Sequence, residues 1–363
     1  MVELFVRRIR VTGVAFLHSA PAVRRFGAPL LRLAVGVTVL WFLGRHVGAA
    51  PFEDGLRAVT WQAVVAAATL TVLTTVCSAW RWRVVARALG VDIGLPGAVG
   101  AYYRSLFLNS VLPGGVLGDV HRAVTHGRRA GDVARGVRAV AWERLWGQVI
   151  QAIVTAVVLL TLPSPVRPVL PYVLAGVVCV AGCAALVARG ADRRGRSRLT
   201  RAIRALAVDL GGQEAPPRAG TRGRRRGLLA AGVWPRLTLA SVLVVAGHTA
   251  TFVIAVRVAG CTAPLGELIA LLMVVQTAVA IPLSIGGWGP REGAAAWAFA
   301  AAGLGAANGV KAAILYAVLM LAAVSPGAGL LVRDAVRRRR GPGRPGEPTG
   351  TDPAPRPMAA ARG

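Results

Sequence analysis

Apolar runs of close to 20 residues recur along the chain, at 28–47, 61–79, 139–162, 168–187, 235–259 and 308–332. Each is about the length that crosses the hydrocarbon of a bilayer, so the pattern predicts six transmembrane helices. Two further apolar stretches break off too early to span. Residues 97–126 are interrupted at Pro113-Gly114-Gly115, and residues 265–303 by the string IPLSIGGWGPREG at 281–293. Non-helical backbone at membrane depth is tolerated only where protein or a water-filled cavity satisfies its peptide groups. Both stretches therefore read as re-entrant hairpins. The predicted fold is an all-α polytopic membrane protein with about six full transmembrane helices plus two re-entrant hairpins.

The second interruption carries the most chemistry. Gly286, Gly287 and Gly289 lack side chains and Pro290 lacks a backbone donor, so a helix entering from Leu268 stops there and another begins. On a structural reading, Pro290 is the first helical residue and Glu292 a first-turn carboxylate that complements the helix dipole. A functional reading adds Arg291: a half-helix start beside a cation at membrane depth is a site for an anionic group. The first interruption poses the same choice, since Asp119 either caps a returning half-helix, with Arg122 one turn later, or lines a site. Glu143 and Arg144 open the third predicted span. Adjacent residues diverge on a helix, so each needs its own partner in the bundle interior, unless it snorkels to the interface. His121 and His126 are five apart, a poor spacing for two ligands on one helix face, and read as structural.

Composition supports the membrane assignment. The chain is 55% hydrophobic and only 16% charged, with a mean hydropathy of +0.58. The formal net charge is +28, carried almost wholly by arginine, with Lys311 the only lysine. Residues 1–32, 81–138, 189–236 and 333–363 hold 36 of the 43 Lys and Arg residues. By the positive-inside rule this asymmetry puts both termini and the long loop at 189–234 in the cytosol, with Arg81, Arg83 and Arg87 anchoring the second span at that face. The chain then divides into a cytosolic segment at 1–27, a membrane domain at 28–332 and a basic, Pro/Gly-rich disordered tail at 333–363. In the loop, Leu199, Ile203, Leu206 and Leu210 fall at helical spacing among arginines, a pattern suited to anionic lipid. It lacks aromatic interleaving, so nucleic acid is not an expected partner. The four cysteines lie in or beside apolar runs and read as packing residues, with no disulfide.

The order span, hairpin, span occurs twice, over 61–162 and 235–332, in opposite orientation. Both hairpins carry a glycine pair followed by charge: Gly114-Gly115 before Asp119, and Gly286-Gly287 before Arg291-Glu292. This predicts an inverted repeat with a site between the two tips near the midplane.

Taken together, Asn109, Leu112-Pro113, Gly118-Asp119 and Arg122, then Glu143-Arg144, then Pro282 and the run from Ser284 to Gly293 (SIGGWGPREG) resemble the transmembrane, flippase-like region of lysylphosphatidylglycerol synthases and their stand-alone relatives. The last motif is the most specific. The resemblance implies a lipid translocase, moving a phospholipid or lipid-linked headgroup between leaflets, with aminoacylated phosphatidylglycerol or a polyprenyl-linked sugar among the cargoes. It also implies that synthase activity is absent, because the stretch beyond Val332 is too short to bury a catalytic core. On this basis the candidate substrate-binding residues are Asn109, Asp119, Arg122, Glu143, Arg144, Ser284, Gly286, Gly287, Trp288, Arg291 and Glu292. The half-helix N-termini with Arg291 and Arg122 would hold a lipid phosphate, and Asp119, Glu143 and Glu292 would balance these cations and meet a cationic headgroup if the lipid is aminoacylated. The expected partners are membrane lipids in the cell membrane, with a homo-oligomer left open. The alternative is a membrane-embedded transferase or assembly factor acting on polyprenyl-linked sugars. The sequence offers it no nucleotide-binding motif, no DxD and no metal-type spacing, so no catalytic residue, cofactor or metal is assigned.

Overall fold

The computed structural model describes residues 37–112, 115–162, 227–279 and 288–339, together with six isolated positions between 164 and 209. The described residues form ten helices after a helical stretch at 37–46: α1 (Ala50–Arg57), α2 (Trp61–Ala88), α3 (Leu95–Val111), α4 (Leu117–Arg129), α5 (Val133–Thr161), α6 (Trp234–Val258), α7 (Leu265–Val279), α8 (Pro290–Ala301), α9 (Ala306–Val324) and α10 (Pro326–Arg339). Among the described residues, four helical rods are long and apolar enough to cross a membrane: α2, α5, α6 and the nearly continuous α9–α10. The chain is a multi-pass, all-helical membrane protein.

The expected span at 61–79 continues nine residues further, to Ala88, and the last helix passes its expected end at 332 to reach Arg339. The first extension is packed into the bundle through Trp82, Val85 and Ala86, whereas the second follows from arginine. Its long stem and strong helix propensity let a helix carry charge beyond its apolar core. Most of the expected span at 168–187, most of the loop at 189–234, the first part of the span at 28–47, the segment at 1–27, the end of the tail and both glycine-rich tips (113–114 and 280–287) lie outside the described residues.

Helix ends follow local chemistry. Thr60 caps α2 by accepting from the Ala63 amide at 3.3 Å, and Asp132 caps α5 by accepting from the Arg135 amide at 2.8 Å. Gly90 (φ 82°) and Gly260 (φ 93°) end α2 and α6 in the left-handed region. In both turns the following amide returns to the helix, Val91 to the Ala86 carbonyl and Cys261 to the Val256 carbonyl. The next helix starts five residues after each glycine, at Leu95 and Leu265.

Helix lengths run long, short, short, long over α2–α5 and again over α6–α10. The packing partners recur in the same way. The two opening rods, α2 and α6, lie against each other, and Gly247 makes room there for the Thr74 side chain. Small residues at such contacts let membrane helices approach closely. Pairs α3–α4 and α4–α5 are matched by α7–α8 and α8–α9; α5 packs on α7, as α9 and α10 pack on α3. One apolar cluster joins α2 to α6, α7, α8 and α9 through residues such as Phe252, Leu271 and Phe299. A second gathers Trp82, Tyr102, Ala123 and Trp142 where α2 to α5 meet.

Candidate functional site

Five of the sequence-derived candidates come together at the junction of α2, α3, α4 and α5. Gly118 lies against the Ser105 carbonyl so closely that a Cβ would overlap it, and this brings the start of α4 onto α3. Asn109 then bridges the pair: its Oδ1 accepts from the Gly118 amide at 2.8 Å and its Nδ2 donates to Asp119 at 3.2 Å. Asp119 also accepts from Ser105 Oγ at 2.9 Å and Arg122 Nη2 at 3.0 Å, and Arg144 Nη2 stands 2.7 Å from its other oxygen. Val116, the residue before α4, provides no side-chain cap, and Asp119 is used as an ion-pair partner.

Glu143 is fully buried and collects donors from three helices. Arg81 binds it through Nε at 3.0 Å and again through Nη2, Tyr102 Oη donates at 2.7 Å, and Arg122 Nη2 lies 3.0 Å from its second oxygen. Adjacent on α5, Glu143 and Arg144 take separate partners, as their divergence requires. Arg81 corrects the sequence reading: it is 6% exposed inside the bundle and does not anchor the helix at the interface. Gly147 explains how it fits, because a Cβ there would stand 2.9 Å from Arg81 Nη1. The Arg122 guanidinium is held between the Tyr102 and Trp82 rings, 4.1 and 4.6 Å from their centroids. Cation–π contact of this kind offsets part of the cost of burying the charge.

The other candidates sit at the start of α8. Gly289 (φ 91°) precedes Pro290, and the Glu292 carboxylate returns to accept from the Gly289 amide at 2.6 Å. Its other oxygen takes Nε and Nη2 of Arg291 at 3.0 and 2.7 Å. Arg291 lies over the Trp288 and Tyr316 rings, at 5.4 and 5.6 Å. Ser284, Gly286 and Gly287 lie outside the described residues.

A cavity of about 300 Å³ joins the two groups. Arg81 and Arg144 enter its wall from the first half of the chain and Arg291 from the second, and among the described residues no Asp or Glu stands in that wall. The neutral polar lining comes from Gln148 and Gln151 on α5, Ser241 and His248 on α6, Gln276 on α7 and Tyr316 on α9. Several are fixed by neighbours: Ser241 Oγ accepts from Arg81 Nη1 at 3.0 Å, Tyr316 Oη pairs with His248 Nδ1 at 3.3 Å, and Gln276 donates to Thr249 at 3.0 Å. Among the described residues Asp119, Glu143 and Glu292 do not line the cavity and instead pair with the arginines, the balancing role expected of them. Cations supported from behind and presented to a polar hollow are arranged to hold an anion.

Sequence reasoning missed Arg81, Tyr102, Gln148, Gln151, Ser241, His248, Gln276 and Tyr316. His248 was legible as a titratable residue in the middle of an apolar run, a functional candidate on that ground alone. The neutral residues gave no such signal.

A comparison with curated proteins returned no match. A family model described as the lysylphosphatidylglycerol synthase TM region matches residues 30–327, which include every helix of the bundle up to the start of α10 and every candidate residue above. The chain belongs to the lysylphosphatidylglycerol synthase transmembrane-region family.

Proposed function

We propose that this protein is a lipid translocase that carries a phosphate-bearing headgroup between leaflets through the cavity between its two halves. The observation that carries this reading is the wall of that cavity: three arginines from both halves with no carboxylate among the described lining residues, inside a bundle of membrane-spanning helices. Arg81, Arg144 and Arg291 hold the phosphate, neutral side chains meet the rest of the headgroup, and the acyl chains stay in the bilayer. Across the whole cluster, Arg81, Arg122, Arg144 and Arg291 face Asp119, Glu143 and Glu292, which leaves one cation in excess. An arriving phosphodiester neutralises it.

Alternating access follows from an inverted repeat, with α2–α5 equivalent to α6–α10 and the short pairs α3–α4 and α7–α8 as re-entrant hairpins. The recurring helix lengths, packing partners and five-residue glycine turns support this equivalence. The arginine distribution supports cytosolic termini, even though Arg81 and Arg122, two of the arginines on the basic side, are buried in the bundle.

The test is reconstitution of the purified protein into liposomes carrying headgroup-labelled phosphatidylglycerol, with outer-leaflet label quenched by dithionite. Translocase vesicles lose nearly all fluorescence, and protein-free vesicles lose about the outer half. Quenching equal to protein-free vesicles, from protein shown to be folded and inserted, overturns the proposal.

A further inference from the structure

The family's namesake lipid carries a lysyl group, yet the cavity is built against one. From its lining we infer that this protein takes a headgroup consisting of one phosphodiester and an uncharged hydroxyl-bearing group, and rejects aminoacylated lipid. The inference rests on the translocase reading for the path of the lipid, but the binding preference stands on the cavity alone.

A lysyl ester of a phosphoglycerol brings two ammonium groups to one phosphate, a net charge of +1. To enter, it needs carboxylates or open aromatic faces near the phosphate site. The three carboxylates of the cluster are unavailable. Glu143 and Glu292 are fully buried, Asp119 is 8% exposed, and each is occupied by arginine. The aromatic face of Tyr316 is also in use, with Arg291 over it and Phe252 stacked on it at 4.5 Å. What an ammonium would meet is Arg81, Arg144 and Arg291. Like charges brought together without screening oppose binding strongly.

The neutral lining fits the opposite cargo. Gln148, Gln151, Gln276, Ser241 and His248 supply donors and acceptors suited to hydroxyls, and a volume of about 300 Å³ holds a phosphate with a small polyol while the chains remain outside. Phosphoglycerol and a glycosyl phosphate share this chemistry, and the experiment separates them.

Purified full-length protein in detergent is titrated by calorimetry with short-chain phosphatidylglycerol, its lysyl ester, phosphatidylcholine and a short-chain polyprenyl phosphoryl sugar. Phosphatidylglycerol or the glycosyl phosphate should bind at least about tenfold more tightly than the lysyl ester, and whichever of the two is tighter identifies the source. Gln276→Glu, which puts a carboxylate into the wall, should tighten binding of the lysyl ester, a gain that loss of folding cannot imitate. Equal or tighter binding of the lysyl ester to the unsubstituted protein overturns the inference, as does saturable binding of none of the four lipids. Selective binding of the anionic lipid without movement of label in vesicles overturns the translocase reading and leaves the headgroup assignment intact.

Discussion

Asp119 and Glu143 in the first half and Glu292 in the second are all buried carboxylates paired with arginine, yet they are held in different ways. Glu143 draws donors from α2, α3 and α4 onto α5, and Asp119 ties α4 to α3 and α5. These are long-range bonds, and the helices must be assembled before they form. Among the described residues, Glu292 bonds only within its own turn, to the Gly289 amide and to Arg291 beside it. The first arrangement cross-braces a bundle. The second finishes a helix end and keeps one arginine pointed at the cavity. The same residue types at similar burial therefore carry different consequences when they are removed.

The largest effect is expected at Glu143. Glu143→Gln leaves Arg81 and Arg122 buried against a neutral group, and breaking a buried pair from one side costs about 3–5 kcal/mol. The thermal unfolding midpoint of the purified protein should fall sharply and folded yield with it. A midpoint within a few degrees of the parent would show that Glu143 braces nothing. Next come Arg144, whose side chain is partly exposed and whose partner Asp119 keeps Arg122, Ser105 and Asn109, and Arg291, both of which face the cavity. The Arg144 side chain is 41% exposed, so Arg144→Gln should change stability by less than about 1 kcal/mol. Arg144→Gln and Arg291→Gln should each slow headgroup movement by about tenfold or more, since each removes a charge-assisted bond to phosphate. Parent-like rates from either folded variant would take that arginine out of the site.

The smallest effect is expected at Glu292. Glutamine can still accept from the Gly289 amide and Arg291 faces the polar cavity, so Glu292→Gln, which removes the counter-charge of a single arginine, should destabilise the protein less than Glu143→Gln. Transport should stay within about threefold of the parent rate, because Arg291 keeps its place over Trp288 and Tyr316. Abolished transport in a well-folded Glu292→Gln protein would put the carboxylate in the cargo path and erase the contrast between the halves.

Much of this was legible in the sequence. Long apolar runs gave the four described rods, glycine and proline gave the breaks, and Pro290 was readable as a first helical residue. Glu143 and Arg144 were readable as a pair that must seek separate partners. Arg81 was not, because an arginine at the end of an apolar run looks the same whether it snorkels outward or turns inward. The distinction lies in Gly147, 66 positions away, whose missing side chain leaves the space that Arg81 fills. The neutral wall of the cavity was hidden for a related reason. Gln148, Gln151, Gln276 and Ser241 are ordinary polar residues in helices, and only packing decides that they face one hollow.

Ser325 and Pro326 interrupt the rod formed by α9 and α10. Proline has no amide to return to the preceding turn, while the Ser325 side chain takes the Ala322 carbonyl at 2.7 Å. The two pieces also serve different neighbours. α9 is packed among α1, α2, α6 and α8, whereas α10 lies on α3, where Gly327 meets the Tyr103 carbonyl and Asp334 pairs with Arg104 at 3.0 Å. In hydrogen–deuterium exchange the stretch 306–339 should therefore appear as two blocks of protection that meet at Pro326. The α10 block should follow the α3 amides in time and not those of α9.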